Sequence, residues 1–313
     1  MLNWVELLTD PNTQWILMGS MLLGLCSGVL GSFAYLRKQS LMGDALSHAA
    51  LPGVCIAFML TGTKSIIFFM IGAVAAGLLA TFGIGYVTRN SRIKQDAALG
   101  IVLSVFFGFG IVLLTQIQHS ASGNQAGLDK FLFGQAASMI ASDVYTMMVV
   151  CIVLVGVCAL LFKEFKLMSF DPGFARGLGF PVAFLDQLMM LFIVIAVVVG
   201  IQAVGVVLMA ALLITPAVAA RYWTERLGVM VVLSGIFGAL SGIVGTLLST
   251  LANNLPTGPL SVLAATVFFT VSVLFAPQRG IVARAIRRSR TNKLIIEEQR
   301  QQRVRVAKEV HHG

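Results

Sequence analysis

The chain has 313 residues, of which 58% are hydrophobic and only 11% are charged, and its mean hydropathy is +0.91. A soluble domain carries about 25% charged residues, so this composition excludes an ordinary soluble protein and indicates a polytopic membrane protein. The net charge of +9 does not indicate nucleic-acid binding, because the segment from Gln278 to the end contributes +7 of it. A basic segment directly after a spanning helix suits the anionic lipids of the inner membrane face.

Runs of about 17–25 apolar residues predict membrane-spanning helices. We predict an all-α fold with nine spans in a membrane domain at 1–277, followed by a basic cytoplasmic tail at 278–313. The sixth and seventh spans are separated only by Gly200–Gln202. The predicted spans are 15–36, 39–60, 65–87, 97–117, 143–162, 183–200, 203–220, 227–250 and 259–276.

Basic residues are distributed unevenly between the two sides of this arrangement. Alternate loops and the tail hold 20 of the 22 Arg and Lys residues, and the opposite loops hold only Lys64 and Lys130. Because cytoplasmic loops carry the excess of Arg and Lys, we expect the N-terminus outside the cell and the C-terminus in the cytoplasm. An odd number of spans agrees with this orientation.

Two connections are unusual for simple loops. The outer segment 118–142 contains an amphipathic stretch at 128–135 that is too short to span, and we expect it at the outer surface or partly re-entrant. The inner segment 163–182 contains the signals of a short helix: Asp171 is a good N-cap and Pro172 suits the first helical position. Gly179 and Pro181 would end it. A plain loop is the alternative.

Asp44 and His48 are the candidate functional residues, since they lie inside an apolar span. An ionisable residue at membrane depth costs roughly 2.5–3.5 kcal/mol on insertion scales, so it persists where it faces protein, water or substrate. The i,i+4 spacing puts both side chains on one helical face. If the helix starts at Gln39, a 1.5 Å rise places them roughly 7 and 13 Å below the inner boundary. Pro52 and Gly53 favour a kink or local unwinding beyond them.

This pair supports two interpretations. It could bind a divalent metal or relay a proton, or it could join two helices through structural hydrogen bonds. One Asp and one His do not complete the roughly six ligands that a cation such as Mn(II) prefers. Either water completes the shell, or two copies of the helix meet across a two-fold axis. Oxygen and imidazole ligands suit manganese, iron(II) or zinc better than copper(I). Cys55 is a further possible ligand, but the Pro52 kink makes its direction uncertain.

The residues around this pair resemble a known family. The stretch 36–53, containing Gly-Asp-Ala-Leu-Ser-His at 43–48, resembles the second-span motif of the zinc/manganese/iron permeases of bacterial ATP-binding-cassette importers. The resemblance covers about residues 15–276. Other stretches that look like family blocks are 98–107, 132–134, 171–179 and 211–217.

The resemblance implies a multi-pass bacterial cell-membrane protein that acts as a permease dimer, with cytoplasmic ATP-binding subunits and an extracytoplasmic metal-binding protein as partners. The metal ligands carry over onto Asp44 and His48. The coupling helix, which contacts the ATPase, carries over onto the segment 171–180, with its contacts at Asp171, Pro172, Ala175, Arg176 and Gly179. Zinc members often carry a His in the span that corresponds to 97–117, and none is present here, which favours manganese.

The sequence thus predicts the permease subunit of a divalent-metal importer, with Mn(II) as the transported ion and Zn(II) or Fe(II) as alternatives. No permanently bound cofactor is expected. The chain contains no Gly-x-x-x-x-Gly-Lys-Ser/Thr phosphate loop, so we expect ATP hydrolysis by a separate subunit. An ion-coupled secondary transporter that uses Asp44 and His48 as a proton relay is a second hypothesis, and a membrane scaffold is a third.

Overall fold

A computed structural model of the protein describes residues 11–39, 41–62, 66–119, 141–251, 255–285 and 288. Within these ranges the regular structure is helical, which confirms the predicted fold class. In this described part of the chain, eight helices are long and apolar enough to cross a membrane, and a ninth apolar helix, α9, is shorter. The helices are α1 Pro11–Leu36, α2 Met42–Thr61, α3 Ile66–Asn90, α4 Gln95–His119, α5 Ala141–Leu160, α6 Phe162–Phe170, α7 Pro172–Gly177, α8 Val182–Val204, α9 Val206–Trp223, α10 Leu227–Ser249 and α11 Thr257–Phe275.

The turn between α1 and α2 is longer than the sequence predicted, because α2 begins at Met42 and not at Gln39. The Gln39 N–H donates to the Ala34 carbonyl at 2.9 Å, which closes the end of α1. Lys38 adopts a left-handed conformation with φ of 58° to make this closure possible. The turn therefore includes the first residues of the predicted span 39–60.

The predicted break between the sixth and seventh spans lies at Gly205 and not at Gly200–Gln202. Gly205 has a φ of 89°, a backbone conformation that favours glycine, and it is the one residue between α8 and α9. A Cβ on Gly200 would overlap the Met209 side chain, so the chain reverses here and the two helices form a hairpin. The apolar pattern on both sides is continuous, and a turn made by one glycine leaves little trace in it.

Helix α6 was not predicted as a separate element. Its buried Phe165 has edge contacts with Phe33 of α1, at a ring-centroid distance of 5.9 Å, and with Phe192 of α8, at 6.2 Å. These contacts anchor α6, and with it the start of α7, against the body of the protein.

Small residues pack α1 directly against α10. A Cβ added to Gly24 would overlap the backbone of Gly238, and one added to Gly28 would overlap that of Ser234. The Ser234 hydroxyl also donates to the Gly28 carbonyl at 2.7 Å. Since lipid chains are as apolar as Leu, close backbone packing and such hydrogen bonds stabilise helix pairs in a membrane.

Two predictions fall largely outside the described residues. The amphipathic stretch 128–135 lies in the range 120–140, and most of the predicted tail lies after 288. The four cysteines, Cys26, Cys55, Cys151 and Cys158, are all described, and each is buried as a free thiol.

Candidate metal site

Asp44 and His48 lie one turn apart on α2, and the structure brings them together on one face as the spacing predicted. The distance between His48 Nε2 and Asp44 Oδ1 is 3.6 Å. The His48 side chain is 19% exposed and the Asp44 side chain 43%. Because α2 begins at Met42, Asp44 lies in its first turn. At 1.5 Å per residue the pair is roughly 3 and 9 Å from the start of the helix, closer to its end than predicted.

The pair belongs to a stripe of α2 that is partly open near Asp44 and is covered by α4 beyond His48. Leu41, Ile56 and Met59 on this side of the helix are all exposed. In a bilayer, apolar members of such a stripe can face lipid without cost, whereas a carboxylate cannot. Asp44 and His48 therefore require water, a cation or another protein surface at this position.

Helix α4 crosses the same stripe just beyond His48. The His48 and Phe107 rings are in edge contact, with centroids 4.8 Å apart. One turn later Gly110 lies against Pro52, since a Cβ on Gly110 would be 3.0 Å from Pro52 Cδ. The Cys55 thiol lies 3.9 Å from the Gly110 carbonyl and is fully buried. Cys55 thus faces α4, and the helix passes through Pro52 without the predicted unwinding.

The two ring nitrogens of His48 have different surroundings. Nε2 faces the Asp44 carboxylate, whereas Nδ1 is buried without a hydrogen-bond partner among the described residues. The imidazole is thus oriented by packing against Phe107 and not by a hydrogen bond on Nδ1. This arrangement places Nε2 beside the Asp44 carboxylate, a donor set that suits Mn(II), Fe(II) or Zn(II).

One copy of the chain offers only this pair of ligands in its described part. Within the described ranges, no third His, Cys, Asp or Glu joins Asp44 and His48 in a group able to hold a metal ion. Phe107, which orients His48, was missed by the sequence analysis. An aromatic residue in an apolar span has no signal that distinguishes it from its neighbours before α2 and α4 are placed together.

The short helix predicted after Asp171 is present as α7. The Asp171 carboxylate accepts a hydrogen bond from the Phe174 N–H at 2.9 Å, and Pro172 occupies the first turn. Gly179, with φ of 87°, follows the helix as predicted. Arg176 is exposed, whereas Ala175 is buried against the protein.

Two large apolar side chains are exposed at α7, beside the exposed Arg176. Phe174 and Leu178, spaced i,i+4, are 57% and 56% exposed. The sequence analysis did not name these two residues, although their spacing puts them on one face and would have identified them. The exposed Phe and Leu thus form a small apolar surface on α7.

Comparison with known proteins gives a consistent result. A family model described as the ABC 3 transport family matches residues 9–276. The manganese transport system membrane protein MntC of Bacillus subtilis is 56% identical over 296 residues, which is 95% of this chain and 68% of that protein. The zinc transport system membrane protein TroC of Treponema pallidum is 47% identical, over 93% of this chain and 97% of that protein.

The fold is also similar to a solved structure. PsaBC from Streptococcus pneumoniae, in complex with a Fab, superposes with a TM-score of 0.78 and is 35% identical. The match covers 88% of this chain and 96% of that chain.

Proposed function

We propose that this chain, which belongs to the ABC 3 transport family, carries Mn(II) across a bacterial cell membrane. The proposed transport site contains Asp44 and His48. The chain is the membrane permease subunit of an ATP-binding-cassette transporter, and a separate subunit hydrolyses ATP. Relatives named for manganese and for zinc transport both match it, so the choice of metal is the finer part of the proposal.

The observation that carries the proposal is the polar pair on α2, whose Asp44 carboxylate is partly exposed. Asp44 and His48 provide two of the three or more protein ligands that a transported cation would need, and Asp44 is accessible from outside the chain. A second copy that meets the first along α2 would supply another Asp and another His. Two carboxylates and two imidazoles then give a four-ligand site on the dimer axis, which water can complete for Mn(II).

The proposed orientation follows from charge. With the N-terminus outside, the basic loops and α7 lie in the cytoplasm, where the ATPase subunit binds. Metal delivered to the outer mouth by an extracytoplasmic binding protein would pass Asp44 and His48 and leave on the inner side. Movement of α7, driven by ATP binding and hydrolysis, would open and close that route.

The experiment that tests this proposal is metal uptake in cells that lack their own importers of manganese, zinc and iron. The chain is expressed with and without its ATPase subunit, and uptake of radioactive manganese is measured against unlabelled competitors. We expect saturable uptake that requires the ATPase. Unlabelled manganese should suppress this uptake at a lower concentration than zinc or iron does. Uptake without the ATPase would instead indicate a secondary transporter, and stronger competition by zinc would reassign the metal.

The docking role of α7 has its own expected result. Phe174→Ala removes the larger part of the exposed apolar surface, and truncation of a central aromatic contact costs about 2 kcal/mol or more of binding free energy. We expect the variant to retain less ATPase subunit during co-purification and to lose most of its metal uptake.

A suitable control for Phe174 is Phe82 on α3, which is 59% exposed and distant in sequence from α7. Phe82→Ala should leave co-purification unchanged. Equal retention of the ATPase by the Phe174 and Phe82 variants would argue against α7 as the docking helix.

A further inference from the structure

Arg37 and Asp186 form an ion pair between the α1–α2 turn and α8. The Arg37 side chain is only 14% exposed and that of Asp186 32%. Within the described part of the chain, Asp186 is the carboxylate that lies within ion-pair distance of Arg37. Burial lowers the pKa of the Arg37 guanidinium to about 10, so it stays charged near neutral pH and requires the carboxylate for compensation.

On one side, this pair is connected firmly to the first turn of α2. The Arg37 N–H donates to the Phe33 carbonyl at 3.1 Å, and the Met42 N–H donates to the Gln39 carbonyl at 3.1 Å. These bonds hold the turn as a compact unit between the two helices. Asp44 follows Arg37 by only seven residues. A displacement of Arg37 would therefore move the start of α2, where Asp44 lies.

On the other side, the pair is connected to α7. The Phe180 N–H donates to the Ala175 carbonyl at 3.1 Å, and the Val182 N–H donates to the Phe180 carbonyl at 2.8 Å. The connection from α7 to α8 is therefore hydrogen-bonded throughout, and Asp186 is the fifth residue of α8. A movement of α7 is carried to Asp186 over a short, ordered path.

The space between α7 and the α1–α2 turn is otherwise open. A cleft of about 380 Å³ lies between them, and its lining includes Arg37, Pro172 and Arg176. Packing across this cleft is incomplete, so the ion pair beside it provides a specific connection between the two units.

We infer that Arg37 and Asp186 are a positioning pair that couples α7 to the first turn of α2. This inference rests on the proposed function. Movement of α7 is transmitted to Asp44 through the ion pair, and ATP hydrolysis thereby drives metal transport. Without the pair, α7 would still dock and the ATPase would still work, but α2 would not follow.

The test uses the complete importer, permease with its ATPase subunit, in lipid vesicles, where manganese uptake and ATP hydrolysis are measured together. Arg37→Asp or Asp186→Arg should lower the manganese moved per ATP about tenfold or more, because each variant places two like charges at a partly buried position. Assembly and ATP hydrolysis should stay near those of the wild type. The double variant with the two charges exchanged should recover most of the transport ratio.

The chain contains a matched control at the same end of the bundle. Glu225 and Arg279 form a second ion pair at 2.9 Å, with side chains 63% and 45% exposed. Exchange of these two charges should leave the ratio unchanged, because an exposed pair contributes little. The variant Arg37→Gln/Asp186→Asn leaves no buried charge unpaired, so it is expected to assemble and yet show a low ratio even if the single variants do not fold.

The outcomes separate the inference from the proposed function. If the Arg37→Gln/Asp186→Asn variant moves as much manganese per ATP as the wild type, the inference is overturned and the proposed function stands. A loss of uptake and hydrolysis in equal proportion indicates a structural role and also overturns it. Failure of the wild-type complex to move manganese with ATP overturns the proposed function, and the inference with it.

Discussion

Manganese uptake is expected to fall at least about 100-fold in Asp44→Asn and in His48→Gln, since loss of even an indirect partner of a metal ligand costs 10- to 100-fold. Both substitutions preserve the size of the side chain. Asparagine removes the charge of the carboxylate, and glutamine removes the imidazole Nε2 that lies 3.6 Å from Asp44 Oδ1. The measurement is uptake of radioactive manganese, with the amounts of permease and bound ATPase determined from the same membranes.

Asp96 provides the control for this prediction. It lies in the first turn of α4, as Asp44 does in α2, but it is exposed and distant from His48 in sequence. Asp96→Asn should transport manganese as the wild type does. Wild-type uptake by the Asp44 and His48 variants would remove them from the transport site and favour a structural role for the pair.

Gly238→Val is expected to prevent stable folding. A side chain at this position would overlap the Gly24 carbonyl, and neither backbone can move without separating α1 from α10. Overpacking costs typically 1–3 kcal/mol, and we expect about 3 kcal/mol here because the obstacle is main chain. The measurement is the thermal midpoint and yield of the detergent-solubilised protein, followed by size-exclusion chromatography.

The control for Gly238 is Gly156 on α5, where an added Cβ meets nothing within 4 Å. Gly156→Val should be recovered in normal amounts, because a larger side chain has open space there. If both valine variants were equally stable, direct packing of α1 on α10 would not be the interaction that holds these helices together.

Much of the architecture was predictable because it follows from local chemistry. A spanning helix is recognised by its length and apolar content, and each of the nine predicted spans has a corresponding apolar helix in the described part of the chain. The capped helix α7 was predicted correctly for the same reason, since the Asp171 side chain bonds to a backbone group three residues away. The i,i+4 spacing likewise placed Asp44 and His48 on one face.

The errors concern boundaries where no local signal exists. The reversal at Gly205 interrupts an apolar run without a change in composition, whereas the polar residues from Arg37 to Ser40 mark the turn before α2 without showing where the helix begins. Lys38 makes the first turn with a positive φ that is uncommon for a non-glycine residue. Consequently Asp44 lies closer to the start of its helix than predicted, although its identity as the candidate ligand did not change.

The amino-acid sequence by itself determined the membrane class, the spans, the capped helix α7 and the polar pair on α2, because these depend on residues close together in the chain. Only the tertiary structure decided that Asp44 is partly exposed, that Phe107 orients His48, and that Arg37 pairs with Asp186. Arg37 and Asp186 are far apart in sequence, and each has an adequate local explanation, one as a cytoplasmic basic residue and the other as an acid near a helix start. Their pairing arises from the packing of α8 beside the α1–α2 turn, a relation that no local pattern encodes.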